Sequence, residues 1–161
     1  MRVLIVYTSR YGSTKEMVEL LASQIHGTVE KVDLRRARAP KLEGYQVVII
    51  GAPVFARKIP VLIKRFCQIR HTELSSRKVG LFLSCIARYD RALEYLDANF
   101  PAWLREQSFA REIFGGRLEM KKISFFHRFL LKQLSRIKYD RNAVNPAAIA
   151  RFAEKINALS V

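Results

Sequence analysis

Acidic residues are scarce in this chain: 14 Asp and Glu stand against 29 Lys and Arg, a formal charge of +15. A surplus of that size favours partners with negative surfaces, namely nucleic acid, anionic lipid or an acidic small molecule. A solvated basic surface with no such partner is the other reading. Cysteine is nearly absent. Cys67 and Cys85 lie within apolar runs and lack metal-ligand spacing, so they read as reduced core thiols rather than a cluster or a disulfide framework. No apolar run approaches the ~20 residues of a membrane span. Met1-Arg2 runs straight into strand-like sequence with no signal-peptide pattern, so a cytoplasmic protein is expected. There is no internal repeat and no flexible linker, so residues 1–161 are expected to form one domain. Half of the residues are apolar and ten are Phe, which excludes a disordered chain.

What is present alternates between two periods. Arg2–Tyr7 reads as a strand and Ser13–His26 as a helix, with Met17, Leu20, Leu21 and Ile25 at helical spacing. Thr28–Asp33 has the alternation of an edge strand. Gln46–Gly51 and Lys78–Ser84 are continuously apolar, as strands buried on both faces are. Ile59–Arg70 and Asp90–Asn99 read as helices, and Ala110–Arg117 as a fifth strand running into Gly115-Gly116. Asn145 and Pro146 supply the cap and first position of a last helix whose buried face is Ile149, Phe152, Ala153 and Ile156. Strands alternating with helices predict an α/β fold, a doubly wound five-stranded parallel sheet covered on both faces. Ligands of such sheets sit beyond the carboxyl ends of the strands, where the winding reverses. That singles out the loops after Tyr7, Gly51 and Ser84.

The first loop is Thr8-Ser9-Arg10-Tyr11-Gly12-Ser13-Thr14. Its hydroxyls, the free N–H groups of the helix start and the positive end of the helix dipole make an anion site suited to phosphate. It lacks the Lys-bearing triphosphate loop and the G-x-G-x-x-G pattern. An ordinary helix start capped by Ser13 or Thr14 is the alternative. The second loop, Pro53-Val54-Phe55-Ala56-Arg57, offers a restrained backbone and a flat apolar ring at Phe55, which can equally be core. The third is Ser84-Cys85-Ile86-Ala87-Arg88-Tyr89-Asp90, in which Asp90 can face a ligand or cap the following helix.

The stretch Ile5-Val6-Tyr7-Thr8-Ser9-Arg10-Tyr11-Gly12-Ser13-Thr14 resembles the phosphate-loop signature of flavodoxins at every position. The order of strands and helices is similar to theirs over nearly the whole chain. The resemblance implies a flavodoxin-like sheet of order 2-1-3-4-5 with FMN as cofactor, its phosphate on Thr8–Thr14. It implies that Pro53–Arg57 borders the reactive edge of the ring and that Ser84–Asp90 lies along its other side, with Tyr89 as a stacking residue. Flavodoxins that carry very low-potential electrons usually surround the flavin with acidic residues, whereas Arg57 and Lys58 here would raise its potential.

One segment, about 119–141, intervenes where a short connection is usual. On a helical wheel Phe126, Leu130, Leu134 and Ile137 fall on one face, flanked by Phe125 and Phe129, with Arg128, Lys132 and Arg136 opposite. Arg117–Arg141 holds eight basic and two acidic residues. Such a helix suits an anionic membrane or an acidic, apolar ligand, or it packs its apolar face on the domain. A basic, aromatic insertion after a Gly-Gly turn resembles the branch that contains menaquinone-dependent protoporphyrinogen IX dehydrogenase. That resemblance implies an FMN-dependent oxidoreductase acting on protoporphyrinogen IX in heme biosynthesis, with menaquinone as acceptor and a peripheral place on the inner face of the cell membrane. The other readings are an atypical basic flavodoxin that transfers electrons without a small organic substrate, and a flavin-free binding module. Nucleic acid is the less favoured partner. The sequence designates no catalytic residue and no metal ligand; of its histidines, His127 alone lies in the insertion.

Overall fold

The computed structural model of the protein describes residues 1–134 and 141–160. The elements are β1 (Arg2–Tyr7), α1 (Ser13–Ala22), β2 (Thr28–Asp33), β3 (Val47–Pro53), α2 (Val61–Ile69), α3 (His71–Ser75) and β4 (Lys78–Ser84). They continue with α4 (Tyr89–Asn99), α5 (Ala102–Gln107), β5 (Ala110–Gly115), β6 (Arg117–Leu118), α6 (Phe125–Leu134), β7 (Arg141–Asn142) and α7 (Pro146–Asn157). β1 to β5 form one parallel sheet in the order β2-β1-β3-β4-β5. The winding reverses between β1 and β3, so the loops that follow these strands flank the switch point.

Continuous β-branched and aliphatic runs fill both faces of the sheet. One face packs Leu4, Val6, Val48, Ile50, Leu81 and Leu83 under α2, α4 and α5. The other packs Val3, Ile5, Ile49, Phe82 and Phe114 under α1 and α7. Phe82 and Phe114 stack at 4.3 Å with Phe152 edge-on to both. Gly51 makes room for that cluster: a Cβ there would lie 2.0 Å from the Phe82 ring. Asn145 caps α7 through its side chain, accepting from the Ala148 N–H at 3.1 Å, and Pro146 opens the helix.

Three departures from the sequence expectations have local causes. α2 begins at Val61 because Pro60 takes the N-cap position. α4 begins at Tyr89, with Arg88 at its N-cap position, so Asp90 lies inside the first turn and is not the cap; its carboxylate pairs with Arg88 at 3.2 Å. β5 stops at Gly115, whose φ of 74° turns the chain, and the strand expected to reach Arg117 instead breaks into β5 and β6. The short helices α3 and α5 carry too few turns for a periodicity to show.

The insertion leaves and re-enters the domain through the antiparallel pair β6–β7, where Arg117 lies opposite Asn142 and Leu118 opposite Arg141. Its base is fastened to the start of α1: the Arg117 N–H donates to Ser13 Oγ at 2.9 Å, and its guanidinium pairs with Glu16 at 2.8 Å. The expected residues Arg136, Ile137 and Lys138 lie outside the described residues, as do the side chains of Leu130 and Leu134. Among the described residues no helix is long and apolar enough to cross a membrane.

Candidate functional site

The first loop joins the carboxyl end of β1 to α1. Gly12, at φ 93°, takes the N-cap position of α1 and contributes no side-chain cap. The capped start expected of Ser13 or Thr14 is therefore not what the loop builds: both lie inside the helix, and the Ser13 hydroxyl accepts from Arg117. The N–H groups of the first turn face the loop without a side-chain acceptor from the cap residue. Thr8 is buried, and its Oγ1 has no hydrogen-bond partner. Thr14 is likewise buried, while Ser9 Oγ accepts from the Lys15 N–H at 3.2 Å. An orphaned buried hydroxyl is costly, and such atoms in native folds call for a partner.

The second loop folds into a two-residue hairpin in which Phe55 and Lys58 exchange backbone hydrogen bonds of 2.9 and 3.0 Å. Its central residues Ala56 and Arg57 have φ of 49° and 65°, the left-handed region that glycine or asparagine normally fills at such turns. Asn99, the last residue of α4, holds this turn. Its Nδ2 donates to Arg57 O at 2.9 Å and Tyr95 O at 2.8 Å, and its Oδ1 accepts from the buried Ile59 N–H at 3.1 Å. Val54 N–H donates to Ser84 O at 3.1 Å, so the second and third loops are tied where they leave the sheet. Asn99 escaped the sequence reading because a helix-terminal Asn far along the chain carries no local signal of a loop it fastens.

In the third loop the Cys85 N–H donates to Gly115 O at 2.7 Å, and the buried Cys85 thiol is pushed up to about 11 by desolvation. Ile86 packs on Gly116, Ala87 and Arg88 are exposed, and Ser84 is buried. Tyr89 is half exposed. Its phenol is raised from its ordinary value by burial and by the Glu112 carboxylate beside it. Tyr89 thus lies within reach of Glu112 on β5.

The unexpected arrival is His127. The insertion brings α6 over the first two loops, where the His127 Nδ1 and the Tyr11 hydroxyl share a short hydrogen bond, with Ser124 Oγ 3.5 Å from the same hydroxyl. The His127 ring packs on Phe55 at 4.6 Å and edge-on to Tyr11 at 5.8 Å. Phe55 is accordingly not core but part of a junction of first loop, second loop and insertion. Arg10 lies over the Tyr11 ring at 5.7 Å. Desolvation, with Arg10 nearby, holds His127 below its ordinary value, so the ring is uncharged at neutral pH. Two of the three loops are thus joined through the insertion, and the third stands beside them. Among the described residues no group of His, Cys, Asp and Glu is arranged to hold a metal ion.

A doubly wound sheet with a hydroxyl-rich anion loop at its switch point defines the class of mononucleotide-binding α/β proteins. The flavodoxin-domain model matches residues 4–145, and the chain belongs to that family. No curated protein matches the sequence. Among solved structures, a flavodoxin of Streptococcus pneumoniae TIGR4 aligns over 100% of both chains with a TM-score of 0.60 and 13% identity. Flavodoxin 1 of Bacillus cereus aligns over 85% of this chain and 99% of its own, with a TM-score of 0.55 and 19% identity. Rubredoxin oxygen:oxidoreductase of Desulfovibrio gigas aligns over 98% of this chain at 18% identity and a TM-score of 0.57; this chain spans 37% of that protein. At such identities these likenesses bear on the fold. FMN is the cofactor that membership of the family supports. The first loop fits it on its own evidence, because the orphaned Thr8 hydroxyl, beside a helix start whose cap residue Gly12 has no side chain, is a donor that a phosphate would satisfy.

Proposed function

We propose that this chain is an FMN-dependent oxidoreductase of the protoporphyrinogen IX dehydrogenase type that passes electrons to a membrane quinone such as menaquinone. The observation that carries this reading is the seating of α6 over the first two loops through His127. A carrier that only exchanges electrons with other proteins has no need of a helix across its cofactor loops, whereas a small-molecule substrate needs a third wall.

Thr8, Ser9, Gly12, Ser13 and Thr14 would hold the phosphate of FMN, with Arg10 and Tyr11 beside it, and the Pro53–Arg57 loop would flank the flavin. Ser84–Asp90 would line the other side. Bound FMN supplies the redox chemistry, since the cofactor carries reactivity that protein side chains lack. The chain contributes the rest. Asn99 fixes the hairpin, Arg57 and Lys58 place positive charge near the site, and α6 adds an apolar, basic surface that complements a greasy ring with carboxylates. His127 is the titratable group at that junction, uncharged and beside Tyr11. The inner face of an anionic membrane, reached through 119–141, is the place such a protein would work.

The test is anaerobic. Chain loaded with FMN and mixed with protoporphyrinogen IX is expected to lose the flavin's visible absorbance and to recover it when a menaquinone analogue is added. Unchanged absorbance, with rapid bleaching by a flavodoxin reductase instead, would establish the electron-carrier reading in its place.

A further inference from the structure

Six of the eight large hydrophobic residues exposed among the described residues lie at one end of the molecule, the carboxyl edge of the sheet. Val61 (75% exposed) and Leu62 open α2, Tyr89 opens α4, and Phe125 (85%), Phe126 (65%) and Phe129 (53%) stand on α6. The first turns of α2 and α4 are at this edge because each helix follows a parallel strand. α6 is at this edge because His127 is held by Tyr11 and Phe55.

Cations line this edge as well. Every connection at this edge presents exposed cations: Arg10 after β1, Arg35 and Arg36 after β2, Arg57 and Lys58 after β3, and Arg88 after β4. Lys121 and Lys122 lead into α6. The acidic side chains there are neutralised or hidden. Glu16 pairs with Arg117, Asp90 with Arg88 and Glu119 with Lys122, while Asp33 is buried beside Arg36. The opposite edge carries Glu43 and Glu73 together with Arg2, Lys41, Arg70, Arg77 and Lys78, so it is the exposed apolar side chains among cations that set the carboxyl edge apart.

We infer that the whole carboxyl edge, not the insertion alone, docks on an anionic lipid bilayer, with α6 and the start of α2 entering the headgroup region and the arginine rim lying on the phosphates. Apolar side chains raised among cations are the composition of a peripheral bilayer contact. Duplex nucleic acid would call for the cations without three exposed phenylalanines on one short helix. The docked orientation turns the candidate site toward the membrane. The inference deepens the reading above and rests on it only for the membrane quinone as acceptor.

Co-sedimentation of the full chain, with and without FMN, tests it. Phosphatidylcholine vesicles containing phosphatidylglycerol are expected to capture the protein, and pure phosphatidylcholine vesicles to leave it in solution. Each arginine near an anionic surface is worth a factor of about 5 in partitioning, so Arg35→Gln with Arg36→Gln should weaken capture about 25-fold while FMN uptake is unchanged. With brominated lipid the emission added by Phe126→Trp should be quenched. Capture that ignores lipid charge, full capture of the double arginine variant, unquenched emission from Phe126→Trp, or DNA binding that outcompetes the vesicles would each overturn the inference. FMN uptake and bleaching are read separately, so failure of docking is distinct from failure of the oxidoreductase reading.

Discussion

Asn99→Ala is expected to release the second loop and to destabilise the fold by about 2–3 kcal/mol. Asn99 makes three hydrogen bonds, to Arg57 O, Tyr95 O and the Ile59 N–H. Each such bond contributes roughly 0.5–1.5 kcal/mol, and a buried N–H left without a partner costs about 1–3 kcal/mol. Against this stand Ala56 and Arg57, whose left-handed backbone costs on the order of 1–2 kcal/mol per residue. The clamp and the strain are of similar size, so the hairpin keeps its shape because Asn99 holds it. Without the clamp the turn relaxes, which recovers part of the loss and keeps the net effect below the sum of the bonds. Asn99→Asp separates shape from donation. It keeps the bond from Ile59 but sets a carboxylate oxygen against two carbonyls, and it should cost at least as much as alanine. Urea unfolding of the FMN-free chain reads the global term. Trypsin reads the local one, because Arg57 and Lys58 are its cleavage sites at the hairpin tip and cutting follows local opening. A loss of 2–3 kcal/mol in the local equilibrium corresponds to cleavage about 30- to 150-fold faster. Stability within about 0.5 kcal/mol of the parent, or a native cleavage rate in the aspartate variant, would refute the clamp.

Thr8→Val removes a buried hydroxyl that has no partner, so the FMN-free chain should gain about 1 kcal/mol in urea unfolding while FMN affinity, followed by flavin fluorescence, falls roughly tenfold. Gly115→Ala sets a Cβ 1.8 Å from Ala143 O in a residue with φ of 74°, and thermal unfolding should show several kcal/mol of destabilisation centred on the β6–β7 clasp. Burial raises both thiols above their reference value, Cys67 to about 12 and Cys85 to about 11. Each therefore contributes stability that is complete at neutral pH and declines as the pH rises through the window between about 9 and those values, by up to about 1.4 kcal/mol per pH unit per thiol. Denaturant midpoints measured across that window, and thiol labelling that is slow until the chain unfolds, check the sign.

The sheet was legible in the sequence because buried parallel strands leave an unmixed signal. Val47–Ile50 and Val79–Leu83 have no polar residue to confuse their period, and Asn145-Pro146 marks α7 from two adjacent residues. The turn from β1 into α1 was legible for the same reason, because Thr8–Thr14 is a local stretch between two strongly patterned elements. What stayed hidden depends on contacts between residues far apart in the chain. Asn99 is forty-two positions from Arg57 and His127 is 116 from Tyr11, and neither has a sequence neighbour that hints at its partner. Asp90 misled for the opposite reason. Its residue type suits a cap, but the helix starts at Tyr89 with Arg88 at the N-cap position.

The insertion changes how the cofactor loops are to be understood. In a sheet of this order the loops alone supply an anion site and two flanks, which leaves the space above them open to solvent. Here Arg117 binds the base of the insertion to α1 at the edge of the phosphate loop, and His127 binds α6 to the tip of that loop and to Phe55. Both fastenings fall on the first loop or on the turn of helix it opens, so a group that enters the loop alters the seat of α6 and a contact that moves α6 alters the loop. Occupancy of the first loop and the position of the aromatic face of α6 are therefore linked quantities, and by reciprocity each must change the other's free energy by the same amount. A chain with its phosphate loop filled should hold Phe125, Phe126 and Phe129 differently from an empty one, and it is in that difference that cofactor binding and recognition of an apolar partner meet.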